Sequence, residues 1–233
     1  MTIKIHDNES LLFLQNHLTH SSAQTRIEYA LKHINGPFAL TSSFGAQSAV
    51  CLHLLTQQYQ DIPVILIDTG YLFPETYQFI DQLCESLKLN LKVYKSQLSP
   101  AWFESRYGEL WSQGLTGIDK FNNIMKVTPL NNALNELSVN AWFSGIRNTQ
   151  SESRKHKKVI EYRNNRIKIH PIIDWNDKDI FKYLKKHKLP YHPLWEKGYV
   201  SIGDTHTSKP LSGDMNIEDT RFFGLKRECG IHD

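Results

Sequence analysis

The sequence predicts an α/β fold in which helices cover both faces of a parallel sheet. Three short stretches, residues 38–42, 62–67 and 90–94, have the length and composition of strands. Two stretches with helical character, 46–59 and 74–87, lie between them. Strands that alternate with helices are typical of parallel sheets, because each crossover places a helix on one face of the sheet.

The rest of the chain adds elements of the same two kinds. Residues 9–34 are predicted to be helical, because leucine, isoleucine and alanine recur there at spacings of three and four. Two more helices and two more strands are predicted: helices at 128–137 and 178–186, and strands at 140–144 and 166–169.

Two stretches lack a regular period. Residues 99–127 are aromatic and predicted to be irregular, and residues 190–233 are predicted to form a folded loop region with a mobile tail. Neither an internal repeat nor a linker is visible, so we expect one domain over residues 1–233. Its parts are a helical lead-in (1–35), an α/β core (36–190), and the loop region with its tail (191–233).

The composition is that of an ordinary globular protein. Apolar residues make up 40% and charged residues 22% of the 233 residues, which argues against bulk disorder. The net charge of +3 suits a small anionic substrate and is too small to indicate a nucleic acid or a membrane as partner. The first residues lack the apolar core of a signal peptide, and no apolar run reaches the roughly 18 residues of a membrane span. We therefore expect a cytoplasmic protein.

Three cysteines are present, Cys51, Cys84 and Cys229. They form no Cys-x-x-Cys pair, which argues against a disulfide framework and against a cysteine-built metal site. Cys51 and Cys84 fall on apolar helix faces and are predicted to be inert. Cys229 lies in a basic tail, and positive charge stabilises the nucleophilic thiolate, so we predict that it is a nucleophile. The alternative is an incidental surface cysteine. The residues expected to tune its thiolate are Lys226, Arg227 and His232.

Polar segments follow the predicted strands at 38–42, 62–67 and 140–144. Ligands of parallel sheets bind outside the carboxyl ends of the strands, so the first two segments should share one edge, and we place the third beside it. Small residues before a helix suit an anionic oxygen, and the guanidinium fork of arginine suits phosphate. The alternative interpretation is that the first two segments are ordinary turns and that the third is a solvated loop, without a ligand. No metal site is predicted, because the segments 191–193 and 204–207 match no strong ligand spacing. The candidate binding residues are Ser42, Ser43, Phe44, Gly45, Asp68, Thr69, Gly70, Gly145, Arg147 and Arg154.

Six motifs occur in a fixed order along the chain: residues 42–45 (SSFG), 68–76 (DTGYLFPET), 126–130 (KVTPL), the Arg147 loop, 191–195 (YHPLW) and 228–232 (ECGIH). This ordered set resembles a known family, the assimilatory, thioredoxin-dependent phosphoadenylyl-sulfate (PAPS) reductases. The resemblance extends from about residue 25 to the end of the chain, and it implies an adenine-nucleotide α-hydrolase-like domain, of the PP-loop, Rossmann-like kind.

The resemblance also implies a reaction. Cys229 would attack the sulfate sulfur of PAPS, form an S-sulfocysteine and release adenosine 3′,5′-bisphosphate. Reduced thioredoxin, or glutaredoxin in its place, would then release sulfite for cysteine biosynthesis. By the same resemblance the protein is a homodimer, residues 42–45 form the phosphate loop, and residues 68–70 edge the adenosine. The side chains that would neutralise phosphate and sulfate oxygens are Lys126, Arg147 and Arg221.

A sister branch of the family reduces adenylyl sulfate (APS) and carries a [4Fe–4S] cluster on a Cys-Cys and a Cys-x-x-Cys pair. The corresponding positions here are Phe121, Asn122, Asp204 and Thr207. None is a cysteine, so the resemblance favours PAPS over APS and implies that no cofactor is bound.

Three alternatives stay open at this point. The chain could reduce APS without a cluster. It could be an ATP pyrophosphatase, although Phe44 and Gln47 stand where that group has a glycine and an aspartate in its SGGxDS loop. It could also be a nucleotide-binding sensor whose tail cysteine forms redox disulfides.

Overall fold

The computed structural model describes residues 8–231, in which helices and strands alternate as the sequence predicts. The helices are α1 (Asn8–Thr19), α2 (Ala23–His33), α3 (Ala49–Thr56), α4 (Pro74–Leu87), α5 (Pro100–Tyr107), α6 (Gly114–Asn122), α7 (Thr128–Glu136) and α8 (Asp177–His187), with a π-helical segment at Asn123–Val127. The strands are β1 (Phe38–Thr41), β2 (Pro63–Ile67), β3 (Asn90–Tyr94), β4 (Ala141–Ser144), β5 (Ile160–Arg163) and β6 (Arg166–Ile169).

The six strands form one sheet in the order β3-β2-β1-β4-β6-β5. All neighbours are parallel except β5 and β6, which are antiparallel. Thr41 at the end of β1 pairs with Ile65 of β2 and with Ser144 at the end of β4. The loops after these three strands therefore leave the sheet along the same edge.

Two apolar clusters cover the faces of the sheet. Ala39 and Leu40, neighbours on β1, belong to different clusters, as the alternation of side chains along a strand requires. Helices α2, α3, α4 and α8 contribute to the Leu40 cluster, and α7 packs on the other face with Trp142 of β4. Among the described residues, no helix is long and apolar enough to cross a membrane.

The prediction for residues 99–127 was wrong. This stretch contains α5, α6 and the π-helical segment, and Ser99 caps α5 by accepting a hydrogen bond from the Trp102 amide. Its aromatic side chains build a third cluster that includes Phe103, Trp111 and Phe121. Short helices joined by turns interrupt the spacing of apolar residues, so the period of a helix was not visible in the sequence.

Strand β5 was also not predicted. It pairs with β6 through a two-residue turn at Asn164 and Asn165, whose φ values of 48° and 60° suit the tight turn of a hairpin. The predicted strands at 38–42, 62–67, 90–94, 140–144 and 166–169 are confirmed to within two residues.

Candidate active site

A cavity of about 300 Å³ lies at the carboxyl ends of β1, β2 and β4, where the sequence predicts a binding edge. It collects residues from all three strand-end loops, from the π-helical segment and from the tail. The sequence-predicted residues that line it are Ser42, Ser43, Gly45, Thr69, Lys126, Gly145, Arg147, Arg154, Arg221, Arg227 and Cys229.

Four predicted residues lie outside this lining: Phe44, Asp68, Gly70 and Lys226. The remaining one, His232, lies outside the described residues.

The loop after β1 is shaped by Phe44. Its side chain is buried in the sheet core, and its φ of 49° lies in the left-handed region that few non-glycine residues adopt. The Ser42 hydroxyl accepts a hydrogen bond from the Phe44 amide at 3.1 Å. Phe44 thus anchors the loop in the core of the sheet, while Ser43 and Gly45 line the cavity.

The loop after β2 divides into a structural part and a cavity part. Asp68 accepts hydrogen bonds from the Gly70 amide at 2.8 Å and from the Tyr77 hydroxyl at 2.7 Å, so its carboxylate caps this turn. Thr69 instead donates its hydroxyl hydrogen to the carboxylate of Asp204 and lines the cavity.

The π-helical segment brings Lys126 to the cavity. π-Helical turns are often found at functional sites. The ammonium of Lys126 lies 2.5 Å from the Asp204 carboxylate and 5.3 Å from the ring centres of Phe121 and Phe222. Burial alone would raise the pKa of Asp204, but the Lys126 charge and the hydrogen bonds from Lys126 and Thr69 outweigh it and hold the pKa below its ordinary value. Asp204 is therefore an ionised carboxylate in the wall of the cavity.

Sequence reasoning assigned no role to Asp204. Asp204 was named only as a position without the cluster cysteine of the sister branch and as part of the segment 204–207, which matches no strong metal spacing. Its partners, Thr69 and Lys126, are 135 and 78 positions away in the chain, and sequence spacing does not reveal contacts of that range.

Arg221 is a buried cation that faces the cavity without a counter-ion. Its side chain is 8% exposed, and among residues 8–231 no carboxylate lies within ion-pair distance of the guanidinium. The Nε atom has no hydrogen-bond partner in that range. Gly203 makes room for the guanidinium, because a Cβ there would lie 2.3 Å from an Arg221 nitrogen. Burial lowers the pKa of Arg221, while Cys229 and the carboxylates of Asp204 and Glu228 act against this from beyond ion-pair distance, and a guanidinium remains protonated in proteins. The site is therefore built to receive an anion.

The other two predicted arginines of the binding edge already have partners. The Arg147 guanidinium donates to Asp177 at 2.9 Å and to Gln47 at 2.6 Å. Arg154 forms two hydrogen bonds with the Glu228 carboxylate, at 2.7 and 2.8 Å. Arg147 thus ties the loop after β4 to the start of α8, and Arg154 holds the tail.

Cys229 follows Glu228, lines the cavity and is half-buried. Of the predicted tuning residues, Arg227 lines the cavity beside it. Lys226 forms an ion pair with Asp119 at 2.8 Å, outside the cavity lining. The tail therefore lies against the body of the protein in this structure, and its mobility stays a prediction.

No neighbouring cation lowers the pKa of either of the other two cysteines. Burial raises the pKa of Cys51 to about 12, and burial followed by the charge of Asp81 raises that of Cys84. Both thiols are therefore protonated at neutral pH, as expected for inert core residues.

The positions that hold an iron–sulfur cluster in the sister branch offer no thiolate here. Phe121 takes part in an aromatic group in which His206 stacks on Trp111, with ring centres 3.8 Å apart and planes 4° apart. Asn122 and Thr207 are buried beside it. Within residues 8–231 there is no group of three or more histidine, cysteine or acidic side chains that could hold a metal. The donor set does not fit a cluster.

Fold and site together define the class of this protein, which is an α/β domain of the PP-loop type with a cavity at the sheet edge that is lined by several cations. Residues 37–210 match the model of the phosphoadenosine phosphosulfate reductase domain. The chain belongs to this family.

Relatives and solved structures agree with this assignment. The phosphoadenosine 5′-phosphosulfate reductase of Proteus mirabilis is 56% identical over 220 residues, covering 94% of this chain and 90% of that protein. A PAPS reductase structure from Candida auris, solved as a phosphate complex, has a TM-score of 0.77 and 28% identity, covering 90% of this chain and all of that one. An FMN adenylyltransferase from Candida glabrata, at 17% identity and a TM-score of 0.61, covers 91% of this chain and 71% of that one, and shares the fold.

Proposed function

We propose that this protein reduces PAPS to sulfite and adenosine 3′,5′-bisphosphate, with reduced thioredoxin as electron donor. The observation that carries the proposal is that Cys229 and the unpaired Arg221 line the same cavity at the carboxyl ends of the strands. Family membership supports the choice of substrate. The step belongs to assimilatory sulfate reduction and supplies sulfite for cysteine biosynthesis, in the cytoplasm.

In the first step the Cys229 thiolate attacks the sulfate sulfur. A sulfur–sulfur bond forms, and the bond between sulfur and the bridging oxygen breaks, so that its electron pair leaves with the nucleotide phosphate. Attack of an anion on an anion requires positive charge at the reacting centre, and donors placed before the reaction stabilise charge most effectively. Arg221 supplies this charge, and Arg227 adds to it at the cavity wall.

In the second step a thioredoxin thiolate attacks the sulfur of Cys229 and sulfite leaves. The second thioredoxin thiol then resolves the mixed disulfide and regenerates the Cys229 thiolate. The two electrons that reduce sulfate to sulfite thus come from the thioredoxin dithiol, and no bound cofactor is needed. Glutaredoxin is the alternative donor, and the active species is proposed to be a homodimer.

The first test is the intact mass of the reduced protein after mixing with PAPS, and separately with APS, without thioredoxin. We expect a sulfonate adduct that maps to Cys229 and forms with PAPS only, because the thiolate attacks before the electron donor acts. Cys229→Ser should form no adduct and produce no sulfite while still binding PAPS. Cys84→Ser is the matched control and should react like the native protein.

The same experiment separates the alternatives. An adduct with APS as well would keep the chemistry and overturn the substrate preference. A protein that binds PAPS and forms no adduct would be the nucleotide-binding sensor. Turnover by Cys229→Ser at the native rate would show that the nucleophile is another residue.

A further inference from the structure

Lys168 on β6 is a buried cation with no part in the reaction as described so far. Its side chain is 2% exposed and lies 5.5 Å from the ring centre of Trp142, on the face of the sheet that α7 covers. Its ammonium donates a hydrogen bond to the backbone carbonyl of Ile231 at 3.0 Å. Burying an ammonium costs free energy unless it is hydrogen-bonded or paired, and here the tail supplies one of the acceptors. The question is what this buried contact does for the tail.

The surroundings of Lys168 hold several charged and titratable groups. Glu161 on β5 is its cross-strand neighbour in the register of the sheet. Lys157, Arg163 and His170 lie 3.7, 3.9 and 3.5 Å from the Glu161 carboxylate. Burial lowers the pKa of Lys168 to about 8, and Lys157 and Arg163 act in the same direction, while Glu161 and Cys229 oppose them. The Lys168 ammonium therefore loses its proton just above neutral pH.

The tail has a second attachment on the other side of Cys229. Glu228 accepts hydrogen bonds from Arg154 and from the hydroxyls of Ser151 and Ser153, the latter two at 3.3 and 3.0 Å. Burial alone would raise the pKa of Glu228, but these donors and the Arg154 charge hold it below its ordinary value. Glu228, the residue before Cys229, is therefore ionised and held in place by these donors.

Between the two attachments the chain turns sharply. Gly230 has a φ of 83°, which a glycine adopts without strain, and Ile231 then packs against the apolar cluster of Trp142. A chain end held at one point frays, whereas a segment held on both sides of the reacting atom keeps one position. Displacing a reacting group by about 1 Å can cost roughly a hundredfold in rate.

We propose that Lys168 is a positioning residue for the reaction, which holds the Ile231 carbonyl and, together with the Arg154–Glu228 pair, fixes the tail on both sides of Cys229. The role in turnover rests on the proposed function, whereas the docking of the tail does not. Lys168 acts on the tail through the Ile231 carbonyl, and its charge also interacts with Cys229 at longer range.

The test is Lys168→Met, which keeps the length of the side chain and removes its charge, with Lys178→Met on the exposed side of α8 as the matched control. In substrate-free protein, hydrogen exchange of residues 228–231 should be at least tenfold faster in Lys168→Met and unchanged in the control, because Lys168 contacts the tail and Lys178 lies exposed on α8. With PAPS and thioredoxin, kcat should fall about tenfold or more while KM changes less than twofold.

A separate measurement covers the case in which Lys168→Met does not fold. In the native protein, the protection factors of residues 228–231, corrected for intrinsic exchange, should fall as the pH rises through about 8, where Lys168 loses its proton. Unchanged protection across this range, or unchanged tail exchange in a folded Lys168→Met, would overturn the proposal. If Lys168→Met loses tail protection but the native protein does not reduce PAPS, the positioning contact stands and only the proposed function is overturned.

Discussion

At the scale of single residues, the cavity is distinguished by how its cations are paired. Arg147, Arg154 and Lys126 each contact a carboxylate within 3 Å, so their charges are compensated within the protein. Arg221 has no such partner among residues 8–231, although it is buried like Arg147 and Lys126. A buried charge without a partner destabilises the folded state, and proteins retain such groups where a ligand completes them.

This comparison leads to a prediction for Arg221→Met. The free energy of unfolding should stay constant or rise by about 1 kcal/mol, because a buried charge that has no ion-pair partner is replaced by an apolar side chain. Turnover of PAPS should fall by about a hundredfold or more, because a donor to the reacting anion is lost. Urea denaturation and a sulfite assay measure the two effects.

Arg106→Met is the control for this variant, since Arg106 is exposed on α5 and lies over the Trp102 ring. It should alter neither quantity appreciably. Loss of stability in Arg221→Met comparable to that of a broken ion pair would indicate that Arg221 has a structural partner, contrary to the arrangement described.

At the scale of elements, Asp204 joins three segments of the chain. Its carboxylate accepts from Thr69 after β2 and pairs with Lys126 of the π-helical segment, while its own backbone belongs to the loop region after α8. Leu72 and Asp204 also form an isolated β-bridge. Asp204 therefore holds the loop region against the sheet edge and fixes the position of Lys126.

We expect Asp204→Asn to lower the free energy of unfolding by about 3–5 kcal/mol at pH 7, because it leaves the buried Lys126 ammonium without its counter-ion. The pKa of Asp204 is lowered on folding, so its contribution is present above the unfolded pKa, ordinarily about 3.9, and is lost as the pH falls through the folded pKa. The difference between the two proteins should therefore shrink below about pH 4.

Denaturant titrations at several pH values give this difference, and Asp214→Asn, an exposed carboxylate in the same loop region, is the matched control. If Asp204→Asn lowers the free energy of unfolding equally at pH 7 and in acid, the Asp204 side chain contributes to stability through its shape and not through its charge.

At the scale of the whole molecule, the prediction that no cluster is bound depends on residues from distant segments. Phe121 and Asp204 come together only because α6 and the loop region pack around the same aromatic group, in which Trp111 and His206 stack. We expect the purified protein to contain less than stoichiometric iron and to lack the visible absorption of an iron–sulfur cluster. Iron analysis and a spectrum of anaerobically prepared protein test this, and stoichiometric iron would contradict the assignment to the PAPS branch.

The sequence predicts those cavity residues that directly follow a strand in the chain. Ser43, Gly45, Thr69 and Gly145 follow their strands directly, so the rule that ligands bind at strand ends was enough to bring them to one cavity. Phe44 and Asp68 lie outside the cavity lining, and that rule does not tell which side chain of a loop points inward. Phe44 turns into the core, and Asp68 caps its own turn.

The sequence by itself determined the alternation of helices and strands, the edge at which the site forms, and the isolated cysteine in a basic tail. These follow from the periodicity of apolar residues and from residue types that are close together in the chain. Only the tertiary structure decided which charges are paired. Whether a cation is free to bind an anion depends on contacts such as Arg154–Glu228 and Lys168–Ile231, between residues 74 and 63 positions apart, and on the burial that makes an unpaired charge costly.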